Sequence, residues 1–157
     1  LHDALPIYVT SALEMRQAVL QALPGQDVFI AVAAVADYRP AAAAEHKIKK
    51  GSAGLSLELV ANPDILAEVA ARSDAPFCVG FAAESRNLEA YAEGKRLAKK
   101  LPLVVGNLVQ DGLGGDDSRV VLFDAQGSHP LAPGDKLSIA RAIVDHLGGM
   151  LTCTKST

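Results

Sequence analysis

The sequence predicts a doubly wound α/β fold, with a mostly parallel sheet and helices on both of its faces. Strand-like and helix-like segments alternate along the chain, which is the pattern of a parallel sheet covered by helices. The apolar runs 27–36 and 76–82 are typical of strands buried on both faces. Half of the residues are apolar but only 4% are aromatic, so we expect a core of Ala, Val, Leu and Ile. The length of 157 residues suits one domain.

Capping and turn residues mark the ends of the predicted elements. Ser11 and Glu14 form the S-x-x-E box that begins a helix. Asn62-Pro63 is predicted to cap a second helix and begin its first turn. Gly148-Gly149 is predicted to end the last helix. The predicted strands are 8–10, 27–36, 55–60, 76–82, 103–105 and 119–123, and the predicted helices are 11–23, 62–72, 84–99 and 138–147.

One domain is expected to span residues 8–148, followed by a flexible tail at 149–157. Residues 1–7, LHDALPI, match what a common DNA-sequencing adapter encodes when it is translated. We therefore expect this segment to be non-native and exclude it from the fold. The domain that follows is then expected to be truncated at its N-terminus.

The charge balance argues against nucleic acid or an anionic membrane as a partner. The chain has 15 basic and 18 acidic residues and a net charge of −3, so any anion site must be a local cluster. No apolar run approaches the roughly 20 residues of a membrane span. The cysteines, Cys78 as a small buried hydrophobe and Cys153 in the tail, fit a cytoplasmic protein.

The sequence contains no recognisable metal site. Neither a CxxC pair nor a Cys/His spacing typical of zinc ligands occurs. No histidine has a nearby partner that suggests metal or nucleophilic catalysis, and His129 is placed in a loop. The four histidines are His2, His46, His129 and His146. We therefore expect no metal held by protein side chains.

Polar side chains follow the first buried strand, where ligands bind in an open α/β sheet. Asp37 could accept a hydrogen bond from a ligand, or it could be an ordinary turn aspartate. Lys47, Lys49 and Lys50 could reach phosphates, or they could form a solvated, charged edge strand. The residues alone leave both interpretations open.

Three further features have the same double interpretation. The segment Asn62 to Leu66 could offer helix N-terminal amides to an anion, or only cap its helix. Phe81, at a strand-to-helix turn, could stack on a base or fill the core. Lys95 and Lys99 lie one helical turn apart and could grip a triphosphate, or could complement the helix dipole. Neither GxGxxG nor GxxxxGK[ST] occurs.

These signals occur in one order that resembles a known family. The order is AAVADYRP, KIKK, NPDIL, VGFAAES, a helix with two lysines, VVGN and VVLFDAQG. It closely resembles the phosphopantothenate–cysteine ligases of bacterial coenzyme A biosynthesis, over about residues 8–147. In that family the ligase is usually the C-terminal half of a bifunctional protein, and the other half is a flavin-dependent decarboxylase.

The resemblance implies a CTP-dependent ligation. CTP would activate the carboxylate of 4′-phosphopantothenate as an acyl-cytidylate, with release of pyrophosphate, and the amine of cysteine would then displace CMP. Mg²⁺ would support the triphosphate, and FMN would belong only to a fused decarboxylase half. The family acts as a dimer, so a homodimer or higher oligomer is expected. The family's upstream glycine-rich segment and its acyl-cytidylate-stabilising asparagine are not in this chain.

The resemblance also implies a role for each candidate residue. Lys47 would be the activating lysine near the α-phosphate and the acyl group, and Asp37 would recognise the nucleotide. Phe81 would pack on the cytidine. The other implied nucleotide contacts are Ala31, Val32 and Ala33 through their backbone, Pro63, Asp64, Ile65 and Leu66 at the helix N-terminus, and Lys95 and Lys99 on the phosphates.

Two functions from other classes stay open. One is an NAD(P)-dependent oxidoreductase of Rossmann type, against which the missing GxGxxG counts. The other is a nucleotide-binding module without catalytic activity, in which the lysines bind phosphates but no turnover follows. The choice of CTP over ATP is implied by the resemblance alone.

Overall fold

The computed structural model describes residues 5–42, 44, 46–49, 54–108 and 119–154. Strands and helices alternate through most of these ranges. The strands are β1 (Val28–Ala31), β2 (Tyr38–Pro40), β3 (Leu59–Ala61), β4 (Phe77–Glu84), β5 (Leu103–Leu108), β6 (Val120–Asp124) and β7 (Gly127–Pro130). The helices are α1 (Ala12–Ala22), α2 (Ile65–Ala70), α3 (Leu88–Ala98) and α4 (Lys136–Thr154).

A five-stranded sheet in the order β1-β4-β5-β6-β7 forms the centre of the molecule. Strands β1, β4 and β5 are parallel, whereas β6 and β7 add antiparallel pairs at one edge. Strands β2 and β3 form a separate antiparallel ribbon, in which Arg39 pairs with Val60. The carboxyl end of β1 lies beside the middle of β4, since Ala31 pairs with Gly80 and β4 continues to Glu84.

Helices cover both faces of the sheet, as the sequence predicts. Side chains of α1, α2 and α3 pack on one face, around Val69, Ala92 and Val104. Helix α4 packs on the other face through Ile139 and Leu147. The core is built mainly from Val, Leu, Ile and Ala, so the predicted palette is confirmed together with the fold class.

Two glycines let the helices approach the sheet closely. A Cβ atom added to Gly80 in β4 would lie 2.9 Å from side-chain atoms of both Leu66 and Leu101. One added to Gly106 in β5 would lie 2.9 Å from the Phe123 ring and 3.0 Å from Leu88. Any side chain at either position would therefore push α2 or α3 away from the sheet.

The end of the last helix was predicted wrongly. Helix α4 passes through Gly148 and Gly149 and ends at Thr154, so residues 149–154 are not a flexible tail. Met150 and Leu151, which follow the two glycines in α4, pack against the core. This burial outweighs the low helix propensity of the glycines. Residues 155–157 lie outside the described ranges. Among the described helices, none is both long and apolar enough to cross a membrane.

Several other expectations differ from the structure. Strand β1 ends at Ala31 and is only partly buried, β3 begins at Leu59, and α3 begins at Leu88 because β4 continues to Glu84. Residues 8–10 are not a strand. Helix α2 begins at Ile65 with Asp64 as its N-cap, and not at Asn62-Pro63, because the Asp64 carboxylate accepts the Ala67 amide. His129 lies in strand β7, and not in a loop, because the chain turns between Asp124 and Gly127 and pairs β7 with β6.

Candidate functional site

An open pocket of about 370 Å³ lies where β1 ends, between the loop that follows it, the start of α2, and the side of α3. Eleven of the twelve predicted nucleotide contacts line it. They are Ala31, Val32, Ala33, Asp37, Pro63, Asp64, Ile65, Leu66, Phe81, Lys95 and Lys99. Residues separated by up to 68 positions in the sequence are thus brought to one edge of the parallel strands, where α/β sheets bind ligands.

Asn62 holds the loop after β1 against the start of α2. Its side-chain amide donates to the carbonyl of Ala36 at 2.8 Å, and its backbone N–H donates to the carbonyl of Asp37 at 2.8 Å. Arg39 in turn donates to the Asn62 side-chain oxygen at 3.1 Å and to the Ala61 carbonyl at 2.7 Å. These bonds fix the pocket wall that carries Asp37.

Two lysines lie on the opposite wall, Lys95 in α3 and Lys99 at the C-cap of that helix. The Nζ atom of Lys95 donates to the carbonyl oxygen of Phe81 at 2.5 Å, and that of Lys99 lies 2.5 Å from a carboxylate oxygen of Asp64. Burial lowers the pKa of Lys95, and the positive charge of Lys99 lowers it further. The pocket therefore has two lysines from positions one helical turn apart in its lining, and their ammonium groups can act as point charges on phosphates.

Asp64 has two structural partners. Burial raises the pKa of its carboxyl, but the Lys99 hydrogen bond, the Ala67 amide and the charges of both lysines outweigh burial, so the pKa is lowered. Its Oδ1 atom caps α2 by accepting the Ala67 N–H at 3.0 Å. A phosphate that approaches Lys99 must therefore compete with this carboxylate.

Phe81 contributes to both the core and the pocket. It is half-buried and packs with the core cluster beside α4, while it also lines the pocket. Its carbonyl oxygen accepts the hydrogen bond from Lys95. The two interpretations of Phe81, core residue and pocket residue, are therefore compatible.

Lys47 is the predicted site residue that the pocket lining does not include. It is exposed and lies in the connection between β2 and β3, and residues 46–49 form no strand. The alternative of a charged edge strand is therefore wrong for Lys47 and Lys49, and Lys50 lies outside the described residues.

Sequence reasoning missed seven residues of the pocket lining. They are Met15, Val19, Phe29, Ile30, Val35, Ala36 and Asn62. Met15 and Val19 lie one turn apart on α1 and pack toward β1, so the helical stripe could have located them. Asn62 was considered as a cap or as part of an anion site, but its bridging bonds could not be predicted, since its partners Ala36 and Asp37 lie 25 or more residues away.

The expectation that no histidine has a partner is wrong for His129 and His146. The buried carboxylate of Asp124 accepts a hydrogen bond from the Nε2 atom of each ring, at 3.0 Å in both cases. The signal was invisible in the sequence, because His146 is 22 residues from Asp124 and meets it only when α4 packs on the sheet.

The comparison with known protein families identifies the family of this chain. The family described as DNA/pantothenate metabolism flavoprotein C-terminal domain matches residues 3–150. The chain belongs to this family. The resemblance found in the ordered sequence segments is thereby confirmed.

A relative named coenzyme A biosynthesis bifunctional protein CoaBC, from Vibrio cholerae, is 43% identical over 144 residues, which cover 88% of this chain and 36% of the relative.

Solved structures give the same assignment. The crystal structure of the C-terminal domain of a coenzyme A biosynthesis bifunctional protein CoaBC is 32% identical, with a TM-score of 0.75; the match covers 93% of this chain and 65% of that one. A Cab2 variant solved in complex with phosphopantothenate-cysteine is 22% identical, with a TM-score of 0.59, covering 83% of this chain and 46% of that one. The second match supports the fold alone. The chain spans about a third of the length of the curated relatives.

Proposed function

We propose that this chain is the phosphopantothenate–cysteine ligase part of a coenzyme A biosynthetic enzyme. It would join 4′-phosphopantothenate to cysteine with CTP, and would form 4′-phosphopantothenoylcysteine, CMP and pyrophosphate. The observation that carries the proposal is the pocket at the end of β1, where Asp37, Lys95 and Lys99 face one space. The name of the Vibrio cholerae relative agrees with this reaction.

The pocket suits a nucleoside triphosphate. Lys95 and Lys99 supply positive charge for the phosphates, and Asp37 offers a carboxylate to the amine of a base or to a ribose hydroxyl. The half-buried ring of Phe81 lies in the same lining and offers an apolar surface for the base. Mg²⁺ usually binds such nucleotides through one or two carboxylates and the phosphates, and Asp37 would be the carboxylate for it here, since Asp64 is paired with Lys99.

The chemistry proceeds in two displacements. The carboxylate of 4′-phosphopantothenate forms a bond to the α-phosphorus of CTP, and the bond to the β-phosphate oxygen breaks, so pyrophosphate leaves. The cysteine amine then bonds to the acyl carbon, loses a proton, and CMP leaves with the electrons of the broken C–O bond. Negative charge on the α-phosphate grows in the first step, and fixed cations lower its energy most when water is excluded.

Lys47 is proposed as the cation that acts at the α-phosphate and the acyl group. It is exposed and outside the lining in this structure, so the connection between β2 and β3 must bring it over the pocket for the reaction. The proposal includes the dimeric assembly and the cytoplasmic location of the family. It places FMN only in a decarboxylase half of a longer protein.

The first experiment is calorimetric titration of this chain with CTP, ATP and NAD, each with Mg²⁺. CTP should bind more tightly than ATP or NAD. The Lys95→Ala variant should bind CTP about 10–100-fold more weakly, because one hydrogen bond to a charged group contributes about 1.5–3 kcal/mol. Lys136→Ala, an exposed lysine at the start of α4, is the matched control and should bind CTP like the original chain.

Each other result excludes part of the proposal. Binding of NAD alone would favour the oxidoreductase. If CTP bound the Lys95→Ala variant as tightly as the original chain, the nucleotide site would not be this pocket. Pyrophosphate release separates the ligase from a binding module. In the longer protein, release should require both CTP and 4′-phosphopantothenate, and amide formation should further require cysteine.

A further inference from the structure

A second polar cluster lies on the sheet far from the pocket. Asp124 ends β6, His129 lies in β7, and His146 lies in α4. Strand β6 is three positions from β1 in the sheet order, so this cluster is near the opposite edge. None of its residues lines the pocket.

The register of the β6–β7 hairpin explains why these side chains meet. His129 pairs with Leu122, and paired residues of antiparallel strands point to the same face. Leu122 and Asp124 share that face because they are two residues apart in one strand. Leu122 packs in the cluster beside α4, so Asp124 and His129 also point toward α4, where His146 lies before Leu147.

The three side chains converge on one point. The Nε2 atom of His129 lies 3.0 Å from Oδ1 of Asp124, and the Nε2 atom of His146 lies 3.0 Å from Oδ2. The ring centroids are 5.0 Å apart and the rings are tilted by 48°. One ligand atom from each residue lies within 4.8 Å of the other two.

The surroundings favour an ion that enters from solvent. Asp124 is only 4% exposed, whereas the histidine side chains are 35% and 25% exposed, so water reaches the imidazoles. The backbone N–H of Gln126 donates to Oδ1 of Asp124 at 2.7 Å and orients the carboxylate. Glu93 and Arg96 interact electrostatically with Asp124. They pair with each other through two 2.7 Å hydrogen bonds.

We propose that Asp124, His129 and His146 bind a divalent transition-metal ion, with Zn²⁺ as the best fit. Two imidazoles and one carboxylate are a common protein ligand set for zinc with an open fourth position. Metal–ligand bonds of about 2.0–2.1 Å in a tetrahedron place neighbouring ligand atoms about 3.3 Å apart. Each Nε2 atom lies 3.0 Å from one oxygen of Asp124, and the set of three ligand atoms lies within 4.8 Å, so small side-chain shifts would close it around an ion. The backbone N–H of Gln126 would then orient the carboxylate by a hydrogen bond, without contacting the metal.

Metal binding changes the protonation of the two imidazoles and breaks no other covalent bond of the chain. Each imidazole must present an unprotonated Nε2 to the ion, so any proton there moves to Nδ1 or to solvent. The hydrogen bonds from the two rings to Asp124 are replaced by bonds to the metal. The ion would connect α4 to the β6–β7 hairpin, so its expected role is to hold this helix on the sheet.

The test uses the full chain, stripped with EDTA and dialysed free of metal. Titration with Zn²⁺ should show one saturable site per chain at micromolar concentration. His129→Gln and His146→Gln should each weaken it at least about tenfold. The matched control is His46→Gln, an exposed histidine outside the cluster, and it should bind like the original chain. Zn²⁺ at 100 times its Kd should raise the ratio of folded to unfolded chain about 100-fold, with a higher Tm.

A second readout does not depend on the variants. Co²⁺ in place of Zn²⁺ should give the visible absorption of a tetrahedral site, and Zn²⁺ should shift the imidazole resonances of His129 and His146 but not of His46. Failure of Zn²⁺ to bind the original chain would show that the cluster is only a hydrogen-bonded triad. Binding that survives in both cluster variants would also overturn the proposal. CTP titrations should be unchanged in these variants, so the ligase proposal stands or fails separately.

Discussion

The Nζ atom of Lys99 lies 2.5 Å from Oδ2 of Asp64, so the pocket carries an ion pair where phosphates are proposed to bind. Asp64 also caps α2 through its other carboxylate oxygen. One side chain thus serves the helix and neutralises a lysine. The two roles can be separated by substitution, because capping needs only an oxygen acceptor whereas the ion pair needs charge.

Asp64→Asn should tighten CTP binding by several-fold. Asparagine caps helices about as well as aspartate, so the stability should change little. The substitution removes a negative charge near the phosphates and frees Lys99. Asp64→Ala is the matched control: it should also tighten binding but lower stability by about 1 kcal/mol through loss of the cap. Calorimetry and urea unfolding measure the two effects, and weaker CTP binding to Asp64→Asn would instead mean that this carboxylate contacts the nucleotide.

The affinity for CTP should fall at a lower pH than it would if Lys95 had the pKa of an ordinary lysine. Burial and the charge of Lys99 lower the pKa of Lys95 from the usual 10.5. The ammonium form binds phosphate, so binding is complete below the pKa and is lost as the pH rises through it. Lys95→Arg should bind with a flat profile over the same range, because guanidinium stays charged. Titrations of CTP at several alkaline pH values measure this, and parallel profiles for the two proteins would exclude Lys95 as the titrating group.

Gly80→Ala should destabilise the chain by about 1–3 kcal/mol, the usual range for overpacking a core. The added Cβ would lie 2.9 Å from atoms of Leu66 and Leu101, two buried side chains. Gly94→Ala is the matched control, since that exposed position in α3 has open space around it. It should stabilise the helix by about 0.5–1 kcal/mol. Urea unfolding at constant m-value measures both, and an unchanged midpoint for Gly80→Ala would show that the leucines repack freely.

The sequence predicts elements well where local patterns agree with packing. The apolar run at 76–82 lies in β4, and the Ser11–Glu14 box caps α1 through the Ser11 hydroxyl. It fails where distant contacts decide. The glycine pair at 148–149 would end a helix in isolation, but the side chains that follow it pack on the core and extend α4.

The same distinction applies to the site. The fold class made Asp37 and the start of α2 candidates, because ligands bind beyond strand ends, but only the family resemblance implied that they and Ala31 to Ala33 contact a nucleotide. The bridge from Asn62 to Ala36, and the meeting of Asp124 with His146, join segments that no local pattern relates. The placement of Lys47 outside the lining was equally invisible, since a resemblance gives a residue's role but not the position of the connection that carries it.

Lys47→Ala in the longer protein should reduce kcat about 100-fold or more while leaving CTP binding nearly unchanged. The lysine is exposed and outside the lining, so its charge contributes little to the ground-state complex. If it moves over the α-phosphate, it stabilises charge that develops only in the transition state, and the loss of one such group typically lowers kcat by a factor of about 10²–10³. Lys49→Ala, on the same exposed connection, is the matched control and should retain activity. Pyrophosphate release measures kcat, and retained turnover in Lys47→Ala would refute its role.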